Sequence, residues 1–246
     1  VSHDGKDKET YTIHALAGID ARLAAYDWPF ATERKQEIAT HWEALKASKP
    51  ATFNGQVLLQ RRGFVDGDIF RADYFQTDYA SFMAWVRGSQ PDAPEAGIRN
   101  GFALSALRSR DGAYLMGVMA GHTVNAGRIW FPGGTPDLND VTADGRVDLT
   151  GSLLRELEEE TGLAPGDVTL ADGWHALVST TRAAFLREVF IDLPADEARA
   201  LIRDRLAGQA EAELSDIAVA RRASDIDLER MPPFMQIFLR YMLPAD

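Results

Sequence analysis

Residues 131–163 read FPGGTPDLNDVTADGRVDLTGSLLRELEEETGL, and the last nine of them, Arg155-Glu156-Leu157-Glu158-Glu159-Glu160-Thr161-Gly162-Leu163, decide how the chain is read. Wound on a helix at about 100° per residue, with Glu156 set at zero, Glu160 falls near 40° and Glu159 near 300°. Those carboxylates share one face. Leu153, Leu157 and Leu154 fall at roughly 60° to 160° and form the stripe expected to be buried, while Glu158 points away. Like charges at i,i+3 and i,i+4 each cost a few tenths of a kcal/mol, so acids gathered at the edge of an apolar stripe call for a compensating charge. A hard divalent cation supplies it, since Mg²⁺ takes carboxylate oxygens together with substrate phosphates. Gly162 is placed to end the helix just after the last acid. Upstream, Pro132-Gly133-Gly134 can bring backbone carbonyls close to a bound ion, because glycine puts no side chain in the way.

Taken alone, an ELEEE run is most often a solvated helix face. Here it follows FPGG, and the run from Arg155 to Leu163 resembles the Nudix box, which is a glycine, five residues, a glutamate, seven residues, then REUxEExGU with U aliphatic. Each fixed position from Arg155 to Leu163 matches. The front half departs from the pattern. Counting forward from Gly134 reaches Asp140, and counting back from Arg155 reaches Val147, with Asp148 beside it. The mismatch reads as an insertion, Val141 to Val147 (VTADGRV), whose Asp144-Gly145 pair marks a turn in a surface loop. Either Asp140 or Asp148 can pair with Arg155, and Asp148 can instead cap the helix.

The resemblance implies a mixed β-sheet sandwiched between α-helices, an α/β (α+β) fold, over residues 98–246. It also implies hydrolysis of a pyrophosphate linkage between a nucleoside and another group. Two or three Mg²⁺ (or Mn²⁺) ions would sit on Glu156, Glu159 and Glu160 with a carbonyl from Gly133 or Gly134, and Arg155 would orient the carboxylates. A base or further ligand is expected from the loop before a late strand, with Glu213 the first candidate and Glu211 the second. His122, in the loop before FPGG, and Arg128 are candidates for substrate contact.

Composition narrows the alternatives. The chain has 246 residues and no cysteine, which excludes disulfides, thiol nucleophiles and cysteine-built zinc sites. A net charge of −11 and a pI near 4.9 argue against general nucleic-acid or membrane-surface binding. No apolar run approaches the roughly 20 residues of a membrane span, and the opening VSHDGKDKET lacks a signal peptide's apolar region, so a cytoplasmic protein is expected. A homodimer is allowed. The GxSxG, HExxH and GxxxxGK[ST] motifs of other chemistries are absent.

Residues 1–10 read as disordered and 11–26 as mixed, with a short helix over Ile19 to Ala25. Thr32 to Ala47 has the apolar spacing of a helix. Strands are expected at Phe53 to Arg61 and Phe70 to Phe75, and a short aromatic helix at Tyr79 to Val86. Gly88 to Gly97 (GSQPDAPEAG) reads as a linker, giving an N-terminal α/β extension over 1–97 and a second domain over 98–246. Then come strands at Phe102 to Ser109 and Ala113 to Met119 around the Asp111-Gly112 turn, and a short one at Arg128 to Phe131. After the acidic helix, strands are expected near Val168 to Leu170, Trp174 to Ser179, Ala184 to Ile191 and Leu214 to Arg221, with helices at Pro194 to Ala207 and Pro232 to Met242.

Two finer resemblances bear on substrate. Phe131 to Asp140 resembles the FPGGxxDxxD ending of the coenzyme A pyrophosphatases, although their arginine after the preceding strand is absent. Phe53-Asn54-Gly55 with Thr77-Asp78-Tyr79 resembles the extra domain of the UDP-glucose-hydrolysing Nudix branch, which implies a nucleotide sugar whose non-nucleotide half that domain covers. A catalytically silent nucleotide-binding or regulatory module is the reading of a different class.

Overall fold

The structure is a computed structural model that describes residues 9–87 and 97–245. The expected disorder at 1–10 and the expected linker at 88–97 lie almost wholly outside these residues. The elements are β1 (Thr12–Leu16), β2 (Gly18–Leu23), α1 (Pro29–Glu33), α2 (Lys35–Ser48), β3 (Gln56–Asp66), β4 (Ile69–Asp78), α3 (Tyr79–Arg87), β5 (Asn100–Ser109), β6 (Tyr114–Met119), β7 (Ile129–Trp130), β8 (Gly133–Gly134), α4 (Leu149–Thr161), β9 (Val168–Leu170), β10 (Trp174–Val178), β11 (Arg182–Ile191), α5 (Ala195–Ala207), β12 (Leu214–Ala220) and α6 (Pro233–Met242).

A mixed sheet runs in the order β1-β10-β11-β5-β6-β12, with β7 on β6, β8 on β5 and β9 on β11. Strands β11 and β5 are parallel, whereas β5 and β6 are antiparallel. Central strand β5 shows why the sheet has a layer on each side. Successive side chains of a strand point to opposite faces. Ala103 and Leu107 accordingly join Leu153 and Leu157 of α4 and Ile202 of α5 in one core. Phe102, Leu104 and Ala106 join Phe234, Phe238 and Leu239 of α6 in a second. Burying a side chain such as Phe238 fully contributes about 1.5–3 kcal/mol, so α6 is held mainly by its apolar face. The mixed α+β architecture expected from the sequence is the one observed.

A smaller sheet, β2-β4-β3, uses the same alternation. Leu58 and Phe70 face the first core, where the Phe70 and Phe185 rings meet edge-on with centroids 4.9 Å apart. Leu59 and Phe75 face the other way, onto Trp28, Phe82 and Trp85. Backbone bonds between Gln60 and Arg99 (3.0 and 2.9 Å) tie β3 to the chain entering β5.

Three local expectations are corrected. Residues 19–25 do not form a helix. Ile19, Ala21 and Leu23 alternate with Asp20 and Arg22, a period of two that fits the strand β2, parallel to β4. The helix expected over 32–47 is two, broken at Arg34 (φ −108°, ψ 28°). The 141–147 insertion is not a free surface loop. Val141 bridges Val147, and Val147 N–H and Leu23 N–H donate to the carbonyls of Ala21 and Gly145 (2.9 Å each), which docks the hairpin on β2 and buries Val147.

Candidate metal and substrate site

Helix α4 carries the acidic face, and its ends are set by its own sequence. Asp148 accepts hydrogen bonds from the N–H groups of Thr150 (3.1 Å) and Gly151 (2.9 Å), so it is the N-cap. Gly162, at φ 73°, closes the other end, and its N–H donates to the Glu158 carbonyl at 2.8 Å. Leu153 and Leu157 are fully buried, which fixes the rotation of the helix and brings Glu160 inward to 5% exposure.

With Asp148 occupied as a cap, Arg155 takes Asp140. Its Nη2 lies 3.2 Å from Asp140 Oδ2, and Ser152 Oγ donates to the same oxygen at 3.1 Å. Nη1 of Arg155 reaches Glu156 at 2.8 Å and Glu159 at 3.1 Å. Arg155 therefore joins the buried Asp140 to two of the helix acids. Burial opposes the charge of Arg155, but the carboxylates of Glu156, Asp140 and Glu159 raise its pKa well above the usual guanidinium value.

The glycine pair lies on β5 opposite Ala103 and Leu104. A Cβ on Gly133, whose φ is 148°, would sit 2.2 Å from the Ala103 carbonyl oxygen. One on Gly134 would sit 3.1 Å from the Glu156 carboxyl carbon. A side chain at Gly133 would collide with the β5 backbone, and one at Gly134 would crowd the Glu156 carboxylate.

A cavity of about 390 Å³ opens here. Glu156, Glu160 and Glu213 line it together with Gly133 and Gly134. Tyr79, Phe82 and Met83 of α3 form another part of the wall. Burial, followed by the neighbouring charge of Glu159 and Glu213 against the relief given by Arg155, pushes the Glu156 carboxyl up to about 7. Burial, then the charges of Glu156, Glu213 and Glu159, push Glu160 well above the carboxylate range, against a backbone hydrogen bond from Gly133. Glu160 Oε2 is buried and has no hydrogen-bond partner. A buried carboxylate oxygen left unpaired beside two further carboxylates fits a hard cation, which takes oxygen ligands. Among the described residues, no three acidic or histidine side chains already stand together as a ready cation cage. The Arg155 guanidinium is the counter-charge that Glu156 and Glu159 hold.

The remaining candidates fall differently. Glu159 is on the outer side of α4, its side chain 60% exposed, and it does not line the cavity. Glu211 is exposed and also lies off it. His122 is exposed and outside the lining, as is Arg128, whose Nη1 donates to the Glu229 carbonyl at 2.9 Å; their loop contributes Val124 and Asn125 instead. A second depression, about 430 Å³, lies between β2 and the start of α4. Its arginines are paired locally, Arg22 and Arg71 with Asp20 and Arg146 with Asp144, so Asp20, the acid beside it, already holds two cationic partners.

No family model matches the chain, and no curated protein matches it. Among the solved structures similar to it are three of 13–18% identity. A Nudix hydrolase from M. smegmatis, RenU, is 13% identical over 57% of this chain and 80% of that chain, with a TM-score of 0.37. The MutT protein from Methanosarcina mazei Go1 is 18% identical over 58% and 92%, with a TM-score of 0.33. The Bacillus subtilis pyrophosphohydrolase BsRppH is 16% identical over 54% and 66%, with a TM-score of 0.28. A likeness this slight transfers neither activity nor substrate to this chain.

The sequence did not point to Asn100, Arg182 or the α3 side chains as lining residues. Their place follows from strand pairing between distant segments, which puts Arg182 beside Asn100.

Proposed function

We propose that the chain is a metal-dependent pyrophosphohydrolase of the Nudix class, acting on a small nucleoside-diphosphate-linked molecule, foremost a nucleotide sugar. The observation that carries this reading is the unpartnered, buried Glu160 Oε2 in a cavity shared with Glu156, Glu213 and the glycine pair. It agrees with the box-like spacing of the acids and with the pairing of Arg155 with Asp140, which stands where the box has its front glutamate.

Glu156 and Glu160, with Glu213 and a carbonyl of Gly133 or Gly134, would hold Mg²⁺ or Mn²⁺, and Glu159 would complete the acidic face from outside. The ion supplies charge neutralisation on the pyrophosphate and a lowered pKa for a bound water. Arg155 positions rather than binds substrate: with Asp140 fixed below it, its guanidinium sets the side chains of Glu156 and Glu159. Glu213, entering at the start of β12, is the acceptor for the proton of the attacking water. Its backbone carbonyl is held by the Ala120 N–H at 2.8 Å, which keeps the side chain at the cavity wall. The β5 strand and α3 enclose the substrate's apolar surface and limit water around the reacting bond. Residues 1–97 would act as an accessory unit to a catalytic unit over 98–246, contributing Val57 of β3 and the α3 side chains to the cavity wall.

The test is incubation with Mg²⁺ or Mn²⁺ and a panel of nucleotide sugars, coenzyme A, dinucleoside polyphosphates and nucleoside triphosphates, with products separated by chromatography. A nucleoside monophosphate and a sugar phosphate are the expected products. A phosphopantetheine product would move the reading to coenzyme A. Metal binding without turnover of any member would replace the enzyme with a nucleotide-binding module.

A further inference from the structure

The cavity has a second end, built differently from the acidic one. Along β5, Asn100, Phe102 and Leu104 recur at every second residue and line one continuous floor. Leu104 is opposite Gly133, which bonds Glu160, so this end of the floor is acidic. Asn100 lies four residues away, about 13 Å along a strand that rises about 3.3 Å per residue. There it neighbours Arg182 of β11. Thr135 Oγ1 donates to Asn100 Oδ1 at 3.0 Å, which leaves the amide N–H₂ of Asn100 to donate elsewhere.

Arg182 is not a free cation. Glu9 accepts from its Nη1, and also from Ser179, from Thr181 Oγ1 at 2.6 Å and from Tyr11 OH at 2.8 Å. Burial works against the charge of Arg182, and Glu9 more than restores it. Burial likewise pushes Glu9 up, but the hydroxyls of Ser179 and Thr181 and the Arg182 guanidinium hold it low. The pair therefore stays ionised and neutral in sum, with 37% of the Arg182 side chain still accessible. A guanidinium compensated in this way retains its N–H donors while losing most of its pull on a second anion.

Rings flank the space between the two ends. Phe102 meets Phe234 at 5.4 Å between centroids, and Tyr79 meets Phe82 at 5.9 Å on α3. A planar, apolar-faced group with acceptors at its edge suits such walls, whereas a hydroxyl-rich sugar or a phosphate does not.

From this arrangement we infer that the Asn100–Arg182 end of the cavity is a nucleobase site: Phe102 and the α3 rings take the faces of the base, Asn100 and Arg182 donate to its edge, and Glu9 positions Arg182. Because both readers donate, the site favours a base whose edge carries a carbonyl oxygen, uracil, cytosine or guanine, over adenine, whose edge acceptors are ring nitrogens alone. The inference rests on the hydrolase reading only for its orientation, with phosphates toward Glu156 and Glu160 and the base toward Arg182.

Calorimetry with UMP, GMP and AMP in Mg²⁺ and again in EDTA tests it on the full chain. UMP or GMP is expected to bind about tenfold more tightly than AMP, the ratio expected of one lost hydrogen bond to a charged donor. Arg182→Met is expected to bring that ratio close to one, and Asn100→Leu to reduce it independently should the first variant fold poorly. Glu9→Gln leaves Arg182 uncompensated, so inorganic phosphate is expected to begin competing with UMP; a purely structural Glu9 would not change anion competition. Equal binding of all three nucleotides, or a ratio unaltered in both Arg182→Met and Asn100→Leu, overturns the assignment. Base discrimination that persists in EDTA, in a protein that cleaves nothing with Mg²⁺, supports the base site while removing the hydrolase reading.

Discussion

Asp140 holds Arg155 from beneath: Oδ2 of the acid lies 3.2 Å from Nη2 of the guanidinium, and the carboxylate is only 4% exposed. Two acids had an equal claim on Arg155 in the sequence, and the structure divides the work between them. Asp140 supports the arginine, and Asp148 caps α4.

The two acids should therefore respond differently to substitution. Asp140→Asn leaves part of the Arg155 charge uncompensated and weakens the bonds from Ser152 and the Asp137 N–H. A loss of about 2–3 kcal/mol is expected, below the full cost of breaking a buried pair because Arg155 keeps Glu156 and Glu159. Asp148→Ala should cost about 1 kcal/mol, the worth of a cap. Urea denaturation of the two variants checks the order, and equal losses would contradict it.

Gly133 and Gly127 form a second pair. Gly133→Ala is expected to cost about 3–5 kcal/mol, since its Cβ would meet the Ala103 carbonyl at 2.2 Å on a backbone with φ 148°. Gly127→Ala, at φ 77° with open space around it, should cost about 1–2 kcal/mol. Thermal melting of both proteins reads the difference. A mild Gly133→Ala phenotype would mean that β8 does not approach β5 this closely.

The acidity of the site sets a pH dependence of stability. Glu156 is pushed up to about 7 when folded, so between the ordinary carboxylate range and pH 7 the folded chain binds more protons than the unfolded chain. Stability from this group is therefore lost as pH rises through that window. In EDTA, Glu156→Gln should be more stable than the parent at pH 8 by about 1–3 kcal/mol and equal to it near pH 4. A difference that does not vary between these two pH values would remove the burial argument. Adding Mg²⁺ at pH 8 should stabilise the parent more than the variant, because an ion that binds only the folded chain shifts the equilibrium by mass action.

Much of this was legible because local chemistry decided it. The α4 helix and its glycine stop follow from the spacing of Leu153 and Leu157 and from Gly162, whereas the sequence put Glu156, Glu159 and Glu160 on one face without separating the buried Glu160 from the exposed Glu159. The β5–β6 hairpin follows from Asp111-Gly112, and the α3 helix from its aromatic run. What the sequence hid depends on pairing between distant segments. Among the described residues, β1 pairs along the sheet with β10, a strand more than 150 residues away. In β2 the short alternation of Ile19, Ala21 and Leu23 was too weak a signal until β4 lay alongside. The cavity's far end joins Glu9, Asn100 and Arg182, and no local spacing links them. His122 and Arg128 are near FPGG in sequence, but the loop turns these two side chains to solvent and gives Val124 and Asn125 to the cavity wall.

The most direct measurement of the central claim is Mn²⁺ binding, by electron paramagnetic resonance, alongside turnover of a nucleotide sugar, in the parent protein and in Glu160→Gln. If the unpaired oxygen of Glu160 serves a cation, the variant should stay folded, bind Mn²⁺ at least tenfold more weakly and lose nearly all turnover. Unchanged Mn²⁺ affinity and unchanged turnover in a folded Glu160→Gln protein would contradict the account, and the cavity would then be a binding site without metal chemistry.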